Sequence, residues 1–107
     1  MENQLEKGFY YHYKHNLNGP INNYAYEVLS TGYHTEIAGF DESAMVVYRP
    51  LYENATVYKI GKHWNIRPLK MFLEKVIKDK KVFSRFTKIT DFKIIEKLSE
   101  IRDQMYK

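Results

Sequence analysis

Short aromatic runs separated by turn-forming residues fill the first half of the chain and constrain its fold more than any other feature. Nine of the ten tyrosines lie between Tyr10 and Tyr58. Aromatic and β-branched side chains suit a pleated, half-buried surface, and the glycines, asparagines and prolines between the runs favour turns. The runs predict strands over residues 9–14, 24–30, 33–38, 44–49, 56–60 and 82–86, the fourth extended by Leu51 and Tyr52. Five or six short strands at this spacing predict a mainly β fold, a small antiparallel barrel.

Two later segments have the hydrophobic period of a helix. Pro68 suits the first position of a helix, and apolar residues recur at helical spacing up to Val76, which predicts a short helix from Pro68 to about Ile77. Asp91 can cap a second helix over residues 92–106. The predicted apolar seam of this helix is Phe92, Ile95, Leu98, Ile101 and Met105. The seam either covers an open side of the barrel, as suits a monomer, or pairs with the same helix in a second copy.

Length and composition narrow the class of protein. The 107 residues, 12.9 kDa, are enough for a single domain. The lack of cysteine excludes a disulfide scaffold, a thiolate nucleophile and a zinc ribbon. The chain has no apolar run long enough to span a membrane and begins with a polar segment, so we expect a cytoplasmic protein without a membrane partner. Neither a glycine-rich phosphate loop nor a metal-binding motif is present, so we expect no cofactor and no metal.

Charge is divided unevenly along the chain. Residues 1–58 carry three basic and seven acidic side chains, whereas residues 59–107 carry fourteen and six. Small barrels bind nucleic acid through basic grooves lined with aromatic rings, so the basic half is one candidate surface for it. The net charge of only +4 favours the simpler interpretation, a solvated lysine face that keeps the protein soluble.

Eight short pieces of sequence occur in a recognisable order. They are His12-Tyr13-Lys14, Tyr26-Glu27-Val28, His34-Thr35-Glu36, Val46-Val47-Tyr48-Arg49, Leu51-Tyr52, Trp64 with Arg67-Pro68, Met71-Phe72 and Arg85-Phe86. In this order the chain resembles DUF1653, a family of small bacterial domains of unknown function, over residues 8–87. The resemblance implies an SH3-like β-barrel and no assigned activity. Residues 15–23 and 53–63 are longer than the family pattern, and the helix over residues 91–106 is an addition to it.

Polar residues on the predicted strands suggest a site. His34 and Glu36 would lie on one face of a strand, where an imidazole and a carboxylate can exchange a proton, unless both simply point to solvent. Tyr48 and Arg49 alternate, so the strand register decides which of them shares that face. Arg49 can bind an anionic group or pair with a glutamate. Trp64 and Arg67 can clamp a flat ligand or be a core tryptophan beside a surface arginine.

From these residues we predict a binding module that holds a small anionic or nucleotide-like ligand, or a nucleic-acid end, in a polar aromatic pocket. The predicted site residues are His34, Glu36, Tyr48, Arg49, Trp64 and Arg67. The two arginines would bind the anion, the two aromatic residues would stack, and His34 with Glu36 would supply hydrogen bonds. One alternative is a small enzyme that uses His34 and Glu36 for acid–base chemistry. Another is an interaction domain that dimerises through the C-terminal helix.

Overall fold

A computed structural model describes residues 5–53 and 64–107, and seven strands and three helices lie within them. In chain order they are β1 (Gly8–His12), β2 (Ala25–Tyr33), α1 (Phe40–Ser43), β3 (Ala44–Pro50), β4 (Asn65–Pro68), α2 (Leu69–Phe72), β5 (Lys75–Lys78), β6 (Lys81–Ser84), β7 (Phe86–Lys88) and α3 (Phe92–Met105). The predicted mainly β class is confirmed. No helix in these two ranges is long and apolar enough to cross a membrane.

The strands form two antiparallel sheets. Five of them make a sheet in the order β4-β3-β2-β1-β7, while β5 and β6 make a separate hairpin. A bulge between Val28 and Ser30 interrupts the pairing of β2 with β3 and adds local twist. Within the described ranges β4 and β7 are the two edges of the larger sheet and do not pair with each other. The sheet is therefore open there, and the SH3-like barrel implied by the resemblance stays a prediction.

The larger sheet separates two clusters of buried side chains. One cluster, on what we call the helix face, contains Phe9, Ala25, Leu51, Ile89 and Leu98. The other, on what we call the aromatic face, contains Tyr10, Val28, Val46, Tyr48 and Phe72, with Tyr26 and Phe86 packed against it. The alternation of side chains along each strand explains this separation. Each face therefore has a different cover and a different chemistry.

Helix α3 covers the helix face. Asp91 caps it as predicted, because its carboxylate accepts hydrogen bonds from the backbone N–H groups of Lys93 (2.9 Å) and Ile94 (3.2 Å). Leu98 is completely buried, and neighbouring α3 side chains pack around it. Phe92, predicted to belong to the apolar seam, is instead 81% exposed. The apolar side of α3 thus packs against the sheet of its own chain, as the covering alternative requires.

The predicted strand over residues 33–38 is wrong. Strand β2 continues to Tyr33, which pairs with Ala44 at the start of β3. Two paired residues only eleven positions apart force the chain to reverse between them, so residues 34–39 form a turn that leads into α1. The His34 N–H donates to the Ser43 carbonyl (2.8 Å) and closes this reversal. The predicted strand over residues 56–60 lies outside the described residues.

The helix predicted from Pro68 to about Ile77 is also wrong in extent. It stops at Phe72, and residues 75–78 form β5 instead. Asp79 and Lys80 both adopt positive φ angles of 52° and 64°, as the tight turn of a two-residue hairpin requires. Pairing across this turn commits the segment to a strand. The predicted strand over residues 82–86 is split between β6 and β7 at Arg85, and residues 51–52 form a bend and do not extend β3.

Candidate functional site

The strand register resolves which predicted residues share a face. In antiparallel pairs, directly opposite residues point the same way; Tyr48 lies opposite Val28, and Arg67 lies opposite Val46. Tyr48 and Arg67 therefore meet on the aromatic face, where the Arg67 guanidinium carbon lies 5.7 Å from the centroid of the Tyr48 ring. Arg49, one position further along β3, points to the helix face.

His34 and Glu36 lie in the exposed turn between β2 and α1, not on a strand. The Glu36 backbone N–H donates to Nδ1 of His34 (3.1 Å), an interaction typical of a turn. The alternation that would have paired the two side chains on a sheet face therefore does not apply. Trp64 lies just before β4 and is 59% exposed. Of the six predicted residues, the structure brings Tyr48 and Arg67 into contact.

A circuit of five rings covers the aromatic face beside Arg67. His12 lies 5.6 Å from Tyr24, Tyr24 lies 5.7 Å from Tyr52, and Tyr52 lies 5.7 Å from Tyr26. Phe86 closes the circuit at 5.5 Å from Tyr26 and 5.1 Å from His12. Such separations are in the favourable range for aromatic pairs. These residues were not predicted as a site, although His12, Tyr26, Tyr52 and Phe86 all lie in the short pieces that carry the family resemblance.

His12 is held in the neutral state at physiological pH. Burial against its neighbouring rings lowers its pKa to about 4, with further lowering by the positive charges of Arg85, Lys14 and Arg67. The backbone N–H of Lys14 donates to Nδ1 of His12 (3.2 Å). A neutral imidazole with one nitrogen already occupied is a fixed hydrogen-bonding group, not a proton shuttle near neutral pH.

Two tyrosine hydroxyls meet inside the circuit. The Tyr26 and Tyr52 oxygens are 2.6 Å apart and share a hydrogen bond. Burial, together with that hydrogen bond, raises the pKa of Tyr26 well above its ordinary value. Tyr26 is therefore a neutral hydroxyl at every physiological pH, and the circuit contains no negative charge of its own.

Positive charge borders the same circuit. The Arg67 guanidinium carbon also lies 5.8 Å from the Phe86 ring centroid. Arg67 forms no ion pair with any of the described residues. Arg85 donates through Nη2 to Glu74 (2.8 Å), whereas its Nε is buried with no hydrogen-bond partner. A buried donor without an acceptor is unfavourable by about 1–3 kcal/mol. Arg67 thus supplies to a surface made of rings a cation that no acidic side chain of residues 5–53 and 64–107 neutralises.

The charges of the helix face, by contrast, are mutually satisfied. Oε1 of Glu27 accepts from Nε of Arg49 (2.9 Å), and Oε2 accepts from Nη1 of Arg102 (3.0 Å). The Tyr106 ring lies 4.0 Å from the Arg49 guanidinium carbon. This arrangement matches the alternative in which Arg49 pairs with a glutamate. The predicted anion-binding role of Arg49 stays a prediction. An incoming anion would have to compete with the Glu27 carboxylate for its guanidinium.

A cleft of about 480 Å³ opens beside this network, between the β1–β2 pair and α3. Its walls combine apolar side chains such as Phe9 and Ile95 with Glu27 and Arg102. In residues 5–53 and 64–107, no group of three or more histidine, aspartate or glutamate side chains is placed to hold a metal ion.

The geometry defines a small, mainly β domain with one charge-balanced face covered by a helix and one aromatic face bordered by Arg67, a cation with no ion pair in the described part of the chain. The model of the family DUF1653, described as a protein of unknown function, matches residues 8–88. The chain therefore belongs to this family, as the short pieces of sequence predict. Helix α3 lies beyond the matched residues. No curated protein and no solved structure matches the chain.

Proposed function

We propose that this domain is a binding module for a small anionic ligand with a flat ring, of nucleotide-like chemistry, and that the aromatic face is its site. The observation that carries the proposal is Arg67, a guanidinium packed against Tyr48 and Phe86 without an acidic partner among the described residues. A half-buried cation without a counter-ion is unfavourable on its own. An anionic ligand supplies the missing charge.

The charge balance around the rings supports an anion. The pKa of His12 is lowered by the positive charges of Arg85, Lys14 and Arg67. Of these three, Arg85 is the one that has an acidic partner among the described residues, Glu74. An incoming anion at this surface therefore meets Lys14 and Arg67, which have no acidic partner in residues 5–53 and 64–107, close to low-dielectric rings, where charge interactions are stronger than in water. Arginine also binds carboxylate and phosphate groups through two parallel hydrogen bonds.

The rings support a flat group beside the anion. Tyr24 is 37% exposed, and Tyr52 and His12 are partly exposed, so their faces and edges are reachable from solvent. Stacking of a base on such a side chain contributes about 1–3 kcal/mol. Tyr24 stacks on His12, which fixes the orientation of both rings before a ligand arrives. In this proposal Arg67 binds the anion, as predicted from the sequence, whereas Tyr48 is buried and supports the Arg67 guanidinium instead of stacking on the ligand.

A titration followed by ¹H–¹⁵N NMR tests this proposal. Adenosine 5′-monophosphate, added to the full chain at low salt, is expected to shift the amides of β1, β4 and β7 around the aromatic face. Arg67→Gln is expected to weaken binding about tenfold or more. Lys93→Gln removes the same charge from exposed α3 and serves as the matched control, which should leave binding unchanged. No shift at millimolar nucleotide, or equal weakening in both variants, would overturn the proposal.

A further inference from the structure

We propose that the group recognised on the aromatic face is a terminal phosphate monoester and that His12 donates a hydrogen bond to it through Nε2. This inference rests on the proposed function and deepens it. It starts from the orientation of the His12 ring and the kinds of hydrogen-bonding group that surround it.

The tautomer of His12 follows from one contact. The Lys14 backbone N–H can only donate, so the nitrogen it contacts at 3.2 Å, Nδ1, must carry a lone pair. The proton of the neutral imidazole then sits on Nε2. Neighbouring rings hold the plane in place, since Phe86 meets it edge-on at 79° and Tyr24 stacks on it. Nε2–H is therefore a preoriented donor.

This donor is available to a ligand. Nε2 of His12 has no partner among the described residues, and Nε of Arg85 is the single buried side-chain atom there that is left unpaired. Nε2 is therefore not fully buried, in keeping with the partial exposure of His12. The neutral imidazole carries its hydrogen on Nε2, so this donor is present throughout the physiological pH range. The ring itself adds no charge there.

The charged groups that act on His12 are all donors: Arg85, Lys14 and Arg67. Guanidinium and ammonium groups cannot accept a hydrogen bond. The Tyr26 and Tyr52 hydroxyls share one hydrogen bond, so one of them has a hydrogen left to donate, and the Glu74 carboxylate is paired with Arg85. An amide or a base edge has donors as well as acceptors, so part of it would face these donors. A phosphate monoester brings three free oxygens and up to two negative charges, so it satisfies both the donors and the cations better than a diester.

Two sources can present such a group: a free nucleotide and the 5′-phosphorylated end of a nucleic-acid strand. Both combine a terminal phosphate with an adjacent base that can stack on Tyr24 or Tyr52. The structure favours a terminal phosphate beside a base, which both have in common. The binding experiment distinguishes free nucleotides from strand ends.

The tautomer is tested without any ligand. A long-range ¹H–¹⁵N correlation spectrum of the full chain at pH 7 distinguishes the two neutral forms of each histidine. We expect the His12 pattern of a protonated Nε2 and a bare Nδ1, assigned by its absence from the His12→Phe variant. A protonated Nδ1 would overturn the inference and would leave the proposed function standing.

Binding tests the phosphate itself. Adenosine 5′-monophosphate, 3′,5′-cyclic adenosine monophosphate and adenosine share a base but differ in the ester, so affinity should fall about tenfold from the first to the second and be lost for the third. Equal affinity for the monoester and the cyclic diester, with both lost in Arg67→Gln, would refute the monoester but not the anion site. Failure of all three to bind refutes both.

Strand ends and His12 variants complete the test. A 5′-phosphorylated oligonucleotide should bind more tightly than its 5′-hydroxyl counterpart if strand ends are the source, and equal weak binding of the two assigns the site to free nucleotides. His12→Gln keeps an N–H donor at about the reach of Nε2 and should retain more affinity than His12→Phe. Equal affinity of both variants would show that His12 gives no hydrogen bond, and thermal melting of each verifies folding.

Discussion

Glu27 holds the charge network of the helix face together, and Glu27→Gln is the substitution that tests it most directly. The side chain is only 12% exposed and contacts Arg49 and Arg102 at 2.9 and 3.0 Å. Glutamine has the same shape but no charge, so Arg49 loses its counter-ion among the described residues and Arg102 keeps only the exposed Asp103, while packing is kept. At an effective dielectric constant of about 20, two unit charges about 4 Å apart attract each other by about 4 kcal/mol, and the shorter N–O distances here raise the gross attraction of each ion pair to about 5–6 kcal/mol.

The net loss is smaller than the sum of the two attractions. Breaking a buried pair by removing one partner typically costs about 3–5 kcal/mol, and Arg102 is 29% exposed, so water screens part of its interaction. We therefore expect Glu27→Gln to lower the free energy of unfolding by about 3 kcal/mol. Glu74→Gln is the matched control, since its pair with Arg85 is equally short at 2.8 Å but its carboxylate is 55% exposed. It should cost under about 1 kcal/mol.

Urea denaturation of both variants and of Arg102→Met measures these values, with an unchanged slope showing that the same surface is exposed. In the double variant Glu27→Gln/Arg102→Met, the cost should fall below the sum of the single costs by at least about 1 kcal/mol. A loss below about 1 kcal/mol for Glu27→Gln, or strict additivity in the double variant, would refute the buried-network reasoning.

Three further predictions concern the other parts of the fold. Because the pKa of His12 falls from 6.5 to about 4 on folding, the unfolded chain binds a proton first, and stability should decline as pH falls from 6.5 towards 4. The pKa difference limits this loss to about 3 kcal/mol, and partial exposure reduces it to about 1–2 kcal/mol. Thermal melting of wild type and His12→Gln at several pH values should show that stability depends less steeply on pH in the variant. Leu98→Ala empties a completely buried position and should cost about 3–5 kcal/mol in urea denaturation, whereas a cost near zero would mean that α3 does not pack on the sheet. Of the eight residues in β5 and β6 only Val76 is even half-buried, so their amides should exchange with solvent far faster than those of β1 and β2; equal protection would contradict the exposed hairpin.

Local patterns predicted the strands that single-residue propensity defines and missed the turns that strand pairing imposes. Ala44–Pro50 was predicted almost to the residue, because its β-branched and aromatic residues all favour a pleated surface. The segment at His34 has similar local propensity, yet it turns, since the pairing of Tyr33 with Ala44 leaves no room for another strand. The strand propensity of single residues carries no information about which residues pair.

The sequence predicted a site made of aromatic and basic residues, but it did not predict which residues form it. That Tyr48 rather than Arg49 joins Arg67 depends on register, which a one-residue shift reverses. His12 was missed because its neutral state depends first on burial and then on the charges of Arg85 and Arg67, which come from distant points in the sequence. The sequence shows only a histidine between two tyrosines. Its role becomes visible when the pairing of β1 with β7 places it opposite Phe86.

Helix α3 joins the matched domain through its charges as well as its apolar residues. Glu27 and Arg49 lie within the residues matched by the family model, but Arg102 and Tyr106 lie beyond them. Residues 8–88 alone would therefore expose Phe9, Ala25 and Leu51 and leave one oxygen of Glu27 without its cation. Apolar burial and ion pairing are lost together when the helix is removed. The aromatic face lies on the opposite side of the sheet, so the helix completes the fold without covering the proposed site.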